Sequence, residues 1–194
     1  MGNILEDFMG SKGSQITSQL SSQLGIDKNT AGSIIPQVLP MILGGLKNQK
    51  DNFGGEDRVN HILNKYGSSN VLDDIAGLFS QKANDPNPDP ALGGLLGDAG
   101  VKASNLFGKQ FNLDNGTAAK IIPMLAPLVL GFLSKKRDGG AGVSGIASIL
   151  DQDGDGSILD DIGGFLLNSM GSGQTSKSGG LLGGLLGGLF GGKK

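Results

Sequence analysis

The chain has 194 residues and 36 glycines, a glycine content of about 19% against about 7% in an average protein. Hydrophobic residues, at 37%, are too many and charged residues, at 18%, are too few for a wholly disordered chain. The lack of cysteine excludes disulfide scaffolds and thiol catalysis, and a net charge of −2 gives no excess of cations for a nucleic-acid partner.

Residues 1–13 are expected to form an N-terminal helix or arm. They contain no basic stretch followed by an apolar one, and Glu6 and Asp7 lie where a secretory signal would be apolar. No window of the chain reaches about 18 uninterrupted apolar residues. We therefore expect a cytoplasmic protein with no Sec signal peptide and no transmembrane span, although another export route stays open.

One segment of the chain occurs twice. Residues 23–46 align with 110–133 at an offset of 87, and 11 of the 24 aligned positions are identical. At the same offset, VLDDIAGLF (71–79) aligns with ILDDIGGFL (158–166). The sequence therefore predicts one helical unit that is used twice.

The two units are expected to cover 14–82 and 101–169. Between them lies 83–100, a linker rich in proline and glycine, whose prolines favour extended backbone. A unit of about 70 residues is near the lower limit for a self-sufficient core. We therefore expect the two units to pack against each other.

The apolar pattern within each unit is helical. Apolar residues recur every four positions from Ile16 to Leu24, and Gly25 suits the left-handed backbone of a helix C-terminus. Asp27 and Asp114 are placed to cap the helices that follow. Because no alternating strand pattern occurs, the predicted fold class is all-α, a helical array built from an approximate tandem repeat of two similar helical units.

Each of the two capped helices carries a pair of prolines four residues apart. A proline inside a helix removes one backbone donor and clashes with the carbonyl four positions earlier. We expect a helix break or kink near Pro36 and near Pro123, with the apolar side chains around each proline buried.

The last apolar segment of the first unit, 71–79, is predicted to form a helix. Ser68, Ser69 and Asn70 precede it, and each of these residue types favours the N-cap position. One of the three is therefore expected to cap this helix.

The residues and spacing that the two units share resemble those of a known family. An L-G-[IL]-D-x-x-T-A segment, a double-proline apolar helix and an L-D-D-I-x-G-[LF] helix together resemble the YidB-like family of bacterial domains of unknown function. The resemblance covers 14–169 and leaves the C-terminal tail outside. It implies an array of α-helices, and it carries over neither catalytic residues nor a substrate.

An aspartate-rich loop at 151–161 predicts a calcium site. Calcium loops place carboxylates at positions 1, 3 and 5 and a glycine at position 6, where Gly156 stands here. The loop lacks the glutamate that closes an EF-hand, so it resembles the shorter loops of dockerin-like and Excalibur-like modules. We therefore expect Ca²⁺ as a weakly bound cofactor. The predicted ligands are Asp151, Asp153, Asp155, Ser157 through its carbonyl, Asp160 and Asp161.

The same loop has a second interpretation. An Asp/Gly-rich turn can precede a helix whose first turn carries Asp160 and Asp161 next to the positive end of the helix dipole. The first unit keeps the aligned pair Asp73 and Asp74 without the three preceding carboxylates. Those carboxylates, which would repel one another without a cation, favour the calcium interpretation.

The segment 170–194 is expected to be a flexible Gly/Leu-rich tail. Its repeat of paired leucines and glycines suits self-association, a protein partner or contact with a membrane surface. A helix over 179–192 would be roughly 21 Å long, too short to cross a bilayer core of about 30 Å. The residues expected to make the contact are Leu181, Leu182, Leu185, Leu186, Leu189 and Phe190.

These features favour a non-enzymatic structural or interaction protein of bacterial type. Calcium would stabilise it at 151–161, and the Gly/Leu tail would serve self-association or an unknown protein partner. The alternative is a membrane-active or secreted effector whose tail contacts lipid. Enzymatic activity is not expected, because no nucleophile and base stand at a catalytic spacing and His61 is the only histidine.

Overall fold

A computed structural model describes residues 4–151 of the chain. This range contains helices and turns and no strand, which confirms the predicted all-α class. The helices are α1 (Ile4–Phe8), α2 (Ser14–Leu24), α3 (Lys28–Phe53), α4 (Gly55–Tyr66), α5 (Ile75–Ala83), α6 (Asp98–Gln110), α7 (Asn115–Lys136) and α8 (Gly142–Asp151). Short π-helical turns lie at Met9–Gly13 and Arg137–Ala141, and 3₁₀ turns at Ser69–Leu72 and Leu92–Gly94.

The order of the helices, and the first residues of the central ones, repeat at the offset found in the sequence. Helices α3 and α7 begin at Lys28 and Asn115, and α4 and α8 begin at Gly55 and Gly142, in each case 87 residues apart. Helix α6 aligns with α2, although it begins at Asp98, inside the predicted linker. We call the halves containing α2–α5 and α6–α8 unit one and unit two.

The two central helices begin with the same cap. Asp27 accepts a hydrogen bond from the amide of Thr30 at 2.9 Å, and Asp114 accepts one from the amide of Thr117 at 3.0 Å. Each aspartate also accepts the threonine hydroxyl at 2.5 Å. The hydroxyl bond, followed by the amide bond, lowers the pKa of both carboxyl groups below the usual range. The predicted N-caps are confirmed.

The connections into these caps also match. Gly25 and Asn112 occupy the same position in the two units and adopt φ values of 66° and 52°. The next residue in each unit donates its amide to the carbonyl five positions earlier, at 3.1 Å in unit one and 2.8 Å in unit two. Glycine and asparagine are the residues that tolerate this left-handed backbone best, so the turn follows from the local sequence.

A helix break at the prolines, one of the two expected outcomes, is wrong, and a kink within a continuous helix stays a prediction. Helix α3 runs without interruption through Pro36 and Pro40, and α7 through Pro123 and Pro127. Two prolines four positions apart lie on one face, so the lost donors and the clashes are confined to that side. The predicted burial around them is confirmed. The buried neighbours are Ile34, Ile35, Val38, Leu39, Ile121, Ile122, Leu125 and Leu128.

Helix α7 lies at the centre of the described body. It packs against α3, α4, α5 and α6, so most of its circumference is covered. The helical stretch Asn115–Asp151, which includes α7, is long and apolar enough to cross a membrane by length and composition. Because 72% of the most apolar window is buried inside the body, it has the surroundings of a core helix.

The two units are interleaved. Helix α4 of unit one packs on both α3 and α7, and α8 of unit two packs on α3 and α4. Phe8, in the N-terminal arm, is fully buried and meets the ring of Phe132 on α7 edge-on at 5.4 Å. The predicted arm thus packs on α7, the central helix of unit two. The contacts of α4 and α8 confirm the expectation that the two units pack against each other.

The helix that follows α4 begins later than predicted. Residues Ser69–Leu72 form a separate 3₁₀ turn, and α5 begins at Ile75 with Asp74 as its N-cap. The carboxylate of Asp74 accepts the amide of Gly77 at 2.9 Å. The prediction of a serine or asparagine cap at 68–70 is therefore wrong, because the aspartate next to the helix makes this bond instead.

Candidate functional site

A cleft of about 480 Å³ opens between α4, the connection from α5 to α6, and α7. Its polar wall carries more positive than negative side chains, and its floor includes the prolines of α7. We call it the basic cleft and define it by its charged and aromatic residues. These are Arg58, His61, Lys65, Tyr66, Lys82, Asp85 and Asp89.

Helix α4 supplies most of the basic side chains. Arg58, His61 and Lys65 are three and four positions apart, so they share one face of the helix. The neighbouring positions Val59 and Leu63 are buried in the core and fix the orientation of that face. The basic face therefore follows from the amphipathic pattern of α4.

Two of these side chains are held by neighbours. The Nε of Arg58 donates to the Oε1 of Gln49 at 2.9 Å. The terminal guanidinium nitrogens form no hydrogen bond within residues 4–151 and remain available to a ligand. The ammonium of Lys65 lies 5.1 Å from the centre of the Tyr66 ring, which is 50% exposed.

The two carboxylates of the cleft are bonded to the backbone of their own segment. Asp85 accepts the amide of Asn87 at 2.9 Å. Asp89 accepts the amides of Ala91 at 2.9 Å and of Gly93 at 2.6 Å. These bonds shape the wall between α5 and α6, and they occupy carboxylate oxygens that could otherwise accept hydrogen bonds from the cations of the cleft.

A second charged cluster joins the last described residue to α3. Lys47 pairs with Asp51 at 2.7 Å and with Asp151 at 3.4 Å, and Lys50 also bonds to Asp151. The hydrogen bond from Lys50 is the main cause of a lowered pKa at Asp151. The bond from Lys47 likewise lowers the pKa of Asp51. Asp151 is therefore ionised at neutral pH and tied to α3.

The predicted calcium loop is described only at its first residue. Asp151 ends α8, and the other predicted ligands, Asp153, Asp155, Ser157, Asp160 and Asp161, lie outside the described residues. Within 4–151, no three His, Asp or Glu side chains are grouped as metal ligands. The calcium site stays a prediction, and a cation bound to Asp151 would compete with Lys47 and Lys50.

The aspartates of unit one that align with the loop help to separate its two interpretations. Asp74 aligns with Asp161, and its carboxylate caps α5. The second interpretation assigned such a role to the aspartate pair of unit two. The three carboxylates at 151, 153 and 155 have no counterpart in unit one, so they are the residues on which the calcium prediction depends.

The predicted contact residues of the tail also lie outside the described residues. They are Leu181, Leu182, Leu185, Leu186, Leu189 and Phe190. The described body has its own exposed large hydrophobic side chains, among them Phe53 at 62% and Tyr66 at 50% exposure. Each lines a cavity, Tyr66 the basic cleft and Phe53 a groove between α3 and α6.

The comparison with known families gives one match. The family described as a bacterial protein of unknown function (DUF937) matches residues 6–136 and 137–194. The chain belongs to this family. The first DUF937 segment runs from α1 to the end of α7, and so spans the connection between the two units. No curated protein and no solved structure matches the chain significantly.

Membership of the DUF937 family confirms the predicted bacterial domain of unknown function. It assigns no residue, ligand or partner. The YidB-like resemblance is a finer assignment that the family match does not test.

Sequence reasoning missed the basic cleft. Of the residues that line it, only His61 was considered from the sequence, as the single histidine of the chain. The i, i+3, i+7 spacing of Arg58, His61 and Lys65 marks a basic helix face and was visible in the sequence. The rest of the cleft comes from Lys82 and from α7, far along the chain, and only the folded structure brings these parts together.

Proposed function

We propose that this DUF937 protein is a non-enzymatic interaction protein and that its basic cleft receives an acidic segment of a protein partner. The arrangement of charges in the cleft carries the proposal. Arg58, Lys65 and Lys82 line it as cations, whereas Asp85 and Asp89 accept backbone amides. A carboxylate-bearing ligand would find donors on these three cations, which outnumber the two carboxylates of the cleft.

The difference between the two units supports a specific role for this face. Val59 and its counterpart Ile146 are both apolar and buried. Arg58 aligns with Gly145, and Lys65 aligns with Gln152. The repeat keeps the core positions, whereas the basic side chains belong to unit one alone. The repeat does not require these cations at the aligned positions, which supports a role for them in binding.

The same geometry supports a non-enzymatic role. A nucleophile is activated by a base held within hydrogen-bonding distance, and that base is oriented by a third group. Within residues 4–151, His61 forms no hydrogen bond or ion pair with a carboxylate. Asp85 and Asp89 are oriented by amides of their own segment. The cleft is suited to bind charge and has no such catalytic arrangement.

Binding of an acidic probe tests the cleft. A fluorescein-labelled hexaglutamate peptide should bind the full chain and be released by salt, because screening weakens exposed charge pairs. The double substitution Arg58→Gln and Lys65→Gln should weaken binding about tenfold, since exposed charge contacts contribute about 0.2–1 kcal/mol each and hydrogen bonds to charged groups more. Fluorescence anisotropy measures the dissociation constants.

A matched control removes two cations elsewhere on the body. Lys28 and Lys109 are exposed, and neither lines the basic cleft. Replacing both by glutamine changes the net charge by the same amount and should leave peptide affinity within about twofold. Equal losses in the two double variants would show that the peptide responds to net charge, and the cleft proposal would be wrong.

We also propose that the Gly/Leu tail mediates self-association. Paired leucines repeated every four residues give an apolar surface that water does not stabilise. Sedimentation velocity of the full chain should show a concentration-dependent oligomer. Replacing Leu185, Leu186 and Leu189 by serine should remove it, because burial of a leucine contributes about 1.5–3 kcal/mol.

The alternative function of the tail is contact with lipid. In a flotation assay with anionic vesicles, an interaction protein should stay in the dense fractions with or without residues 171–194. Tail-dependent flotation, together with a monomer at every concentration, would favour the membrane-active effector instead. A protein that neither floats nor associates would contradict both roles of the tail.

The aspartate-rich loop completes the proposed function. Calcium at 151–161 would join the end of α8 to the residues that follow and stabilise unit two. Asp151 supports this proposal through its position, since it ends α8 and is ionised. The proposed location is the cytoplasm. The other location left open by the sequence is one reached by an export route other than Sec, and the weak calcium affinity expected of the loop suits compartments richer in calcium.

A further inference from the structure

The segment of unit one that follows α4 lies along α7, the central helix of unit two. Gly131 of α7 allows this approach, because a Cβ there would lie 2.6 Å from the carbonyl oxygen of Ser68 and 2.9 Å from Val71. Further along the segment, the ammonium of Lys120 donates to the carbonyl of Ala83 at 2.5 Å. The segment therefore runs antiparallel to α7, from Gly131 towards the helix N-terminus.

A second glycine makes the reciprocal approach. A Cβ at Gly67 would lie 2.7 Å from the carbonyl oxygen of Leu130 and 2.5 Å from the hydroxyl of Ser134. The apolar side chains Leu72, Ile75 and Phe79 that follow are buried. Two glycines thus bring backbone against backbone, and three apolar side chains fix the segment in the core.

The segment of unit two and helix α3 of unit one have the same or similar residues at the aligned positions. Gly44 of α3 aligns with Gly131, and Gly154 aligns with Gly67. The buried positions Leu72, Ile75 and Phe79 align with Leu159, Ile162 and Leu166. The features that seat 71–79 on α7 are therefore repeated in 158–166 and α3.

The end of the described chain is correctly placed for such an arrangement. Helix α8 packs on α3, and Asp151 at its end bonds to Lys47 and Lys50 of α3. Gly44 is one helical turn from Lys47 on the same helix. Gly154 follows Asp151 by three residues, so the chain leaves α8 next to the surface in question.

A groove beside Gly44 matches one beside Gly131. Between α3 and α6 lies a cavity of about 450 Å³, whose lining includes Gly44 and Asn48. The aligned cavity on α7 has Phe132, the residue after Gly131, in the place of Gly45 and Lys135 in the place of Asn48, and Leu72 of unit one forms part of its wall. The counterpart of Leu72 is Leu159, which belongs to the segment under consideration.

We propose that residues 158–166 dock on α3 along the groove between α3 and α6, as 71–79 dock on α7. Each unit then contributes one such segment to the other unit's central helix, and the two units are joined by reciprocal contacts. The docked segment also places the aspartate-rich loop beside Lys47 and Lys50. The proposal rests on the repeat and its glycines, and it is independent of the basic cleft.

Hydrogen exchange of the full, unmodified chain tests the proposal. Amides of 158–166 should exchange at least tenfold more slowly than an unstructured peptide, as those of 71–79 should. Replacing Gly44 by alanine should accelerate exchange in 158–166 at least tenfold and leave 71–79 unchanged. Gly131→Ala should have the opposite selectivity, because its Cβ meets the backbone of Ser68.

Gly32 provides the control in the same helix. A Cβ there would meet only Thr17, at an ordinary contact distance of 3.8 Å. Gly32→Ala should therefore leave exchange in 158–166 unchanged. Unprotected amides at 158–166 in the unmodified chain would overturn the proposal, as would acceleration confined to 179–192 in Gly44→Ala, which would make the tail the occupant of the groove.

A photo-crosslink provides evidence that does not require Gly44→Ala to fold. With benzoylphenylalanine in place of Ile162, irradiation should attach this residue to the tryptic peptides 29–47 of α3 or 103–109 of α6 within one molecule. Adducts to other peptides would contradict the proposal. Adducts that form only between two molecules, and disappear on dilution, would assign the groove to a second copy of the chain.

Discussion

Replacing Phe8 by alanine should lower the free energy of unfolding by about 3–5 kcal/mol. Phe8 is completely buried and packs edge-on against Phe132, so the substitution removes apolar contact and leaves a cavity between the arm and α7. The loss would approach a third of the stability of a typical domain. Urea unfolding followed by circular dichroism measures the change.

Tyr66→Ala is the control, since it removes an aromatic side chain from a position that is 50% exposed and lies outside the groove proposed for 158–166. A surface change of this kind usually alters stability by no more than about 0.5 kcal/mol. A small effect at both positions would mean that the N-terminal arm does not contribute to the core. A large effect at Tyr66 would mean that loss of an aromatic side chain destabilises the chain whether or not the side chain is buried.

Local features of the fold were predictable from the sequence. The repeat at an offset of 87, the aspartate caps at Asp27 and Asp114 and the glycine turn at Gly25 all follow from short-range patterns. Such features involve hydrogen bonds between residues at most five positions apart. A pattern of this length is fully present in the sequence, so the structure confirms these predictions.

The continuous double-proline helices depend on tertiary packing and could not be predicted in the same way. A proline in an isolated helix costs roughly 3 kcal/mol, which made a break the expected result. In the folded chain, Ile121, Leu125 and the other apolar side chains of α7 are buried against neighbouring helices. Burial at about 1.5–3 kcal/mol for each large apolar side chain outweighs the lost backbone bonds.

The basic cleft shows a second limit of sequence reasoning. Arg58, Asp85 and Pro127 line one cavity although they are far apart in the chain. Their proximity depends on how α4 of unit one crosses α7 of unit two. No pattern within either unit encodes that crossing, because it arises from the interleaving of the two units.

Calcium should raise the melting temperature of the full chain by roughly 5–10 °C at a hundredfold excess over its dissociation constant. Binding to the native state at that excess contributes about 2.7 kcal/mol, and a chain of this size gains about 2–4 °C for each kcal/mol. Scanning calorimetry in EDTA and in millimolar calcium measures the shift. The double variant Asp153→Asn and Asp155→Asn should show no calcium-dependent rise.

Lys50→Gln separates a calcium site from a capped turn. The bond from Lys50 stabilises the charged form of Asp151, and a calcium ion would have to displace it or share the carboxylate. If Asp151 is a ligand, removal of this competitor should lower the calcium dissociation constant a few-fold. It should also slightly lower the free energy of unfolding of the calcium-free protein. Unchanged calcium affinity in Lys50→Gln would exclude Asp151 as a ligand. The calcium interpretation would be wrong if calcium did not raise the melting temperature of the unmodified chain and the double asparagine variant were equally or more stable in EDTA. The loop would then be a turn that precedes a helix.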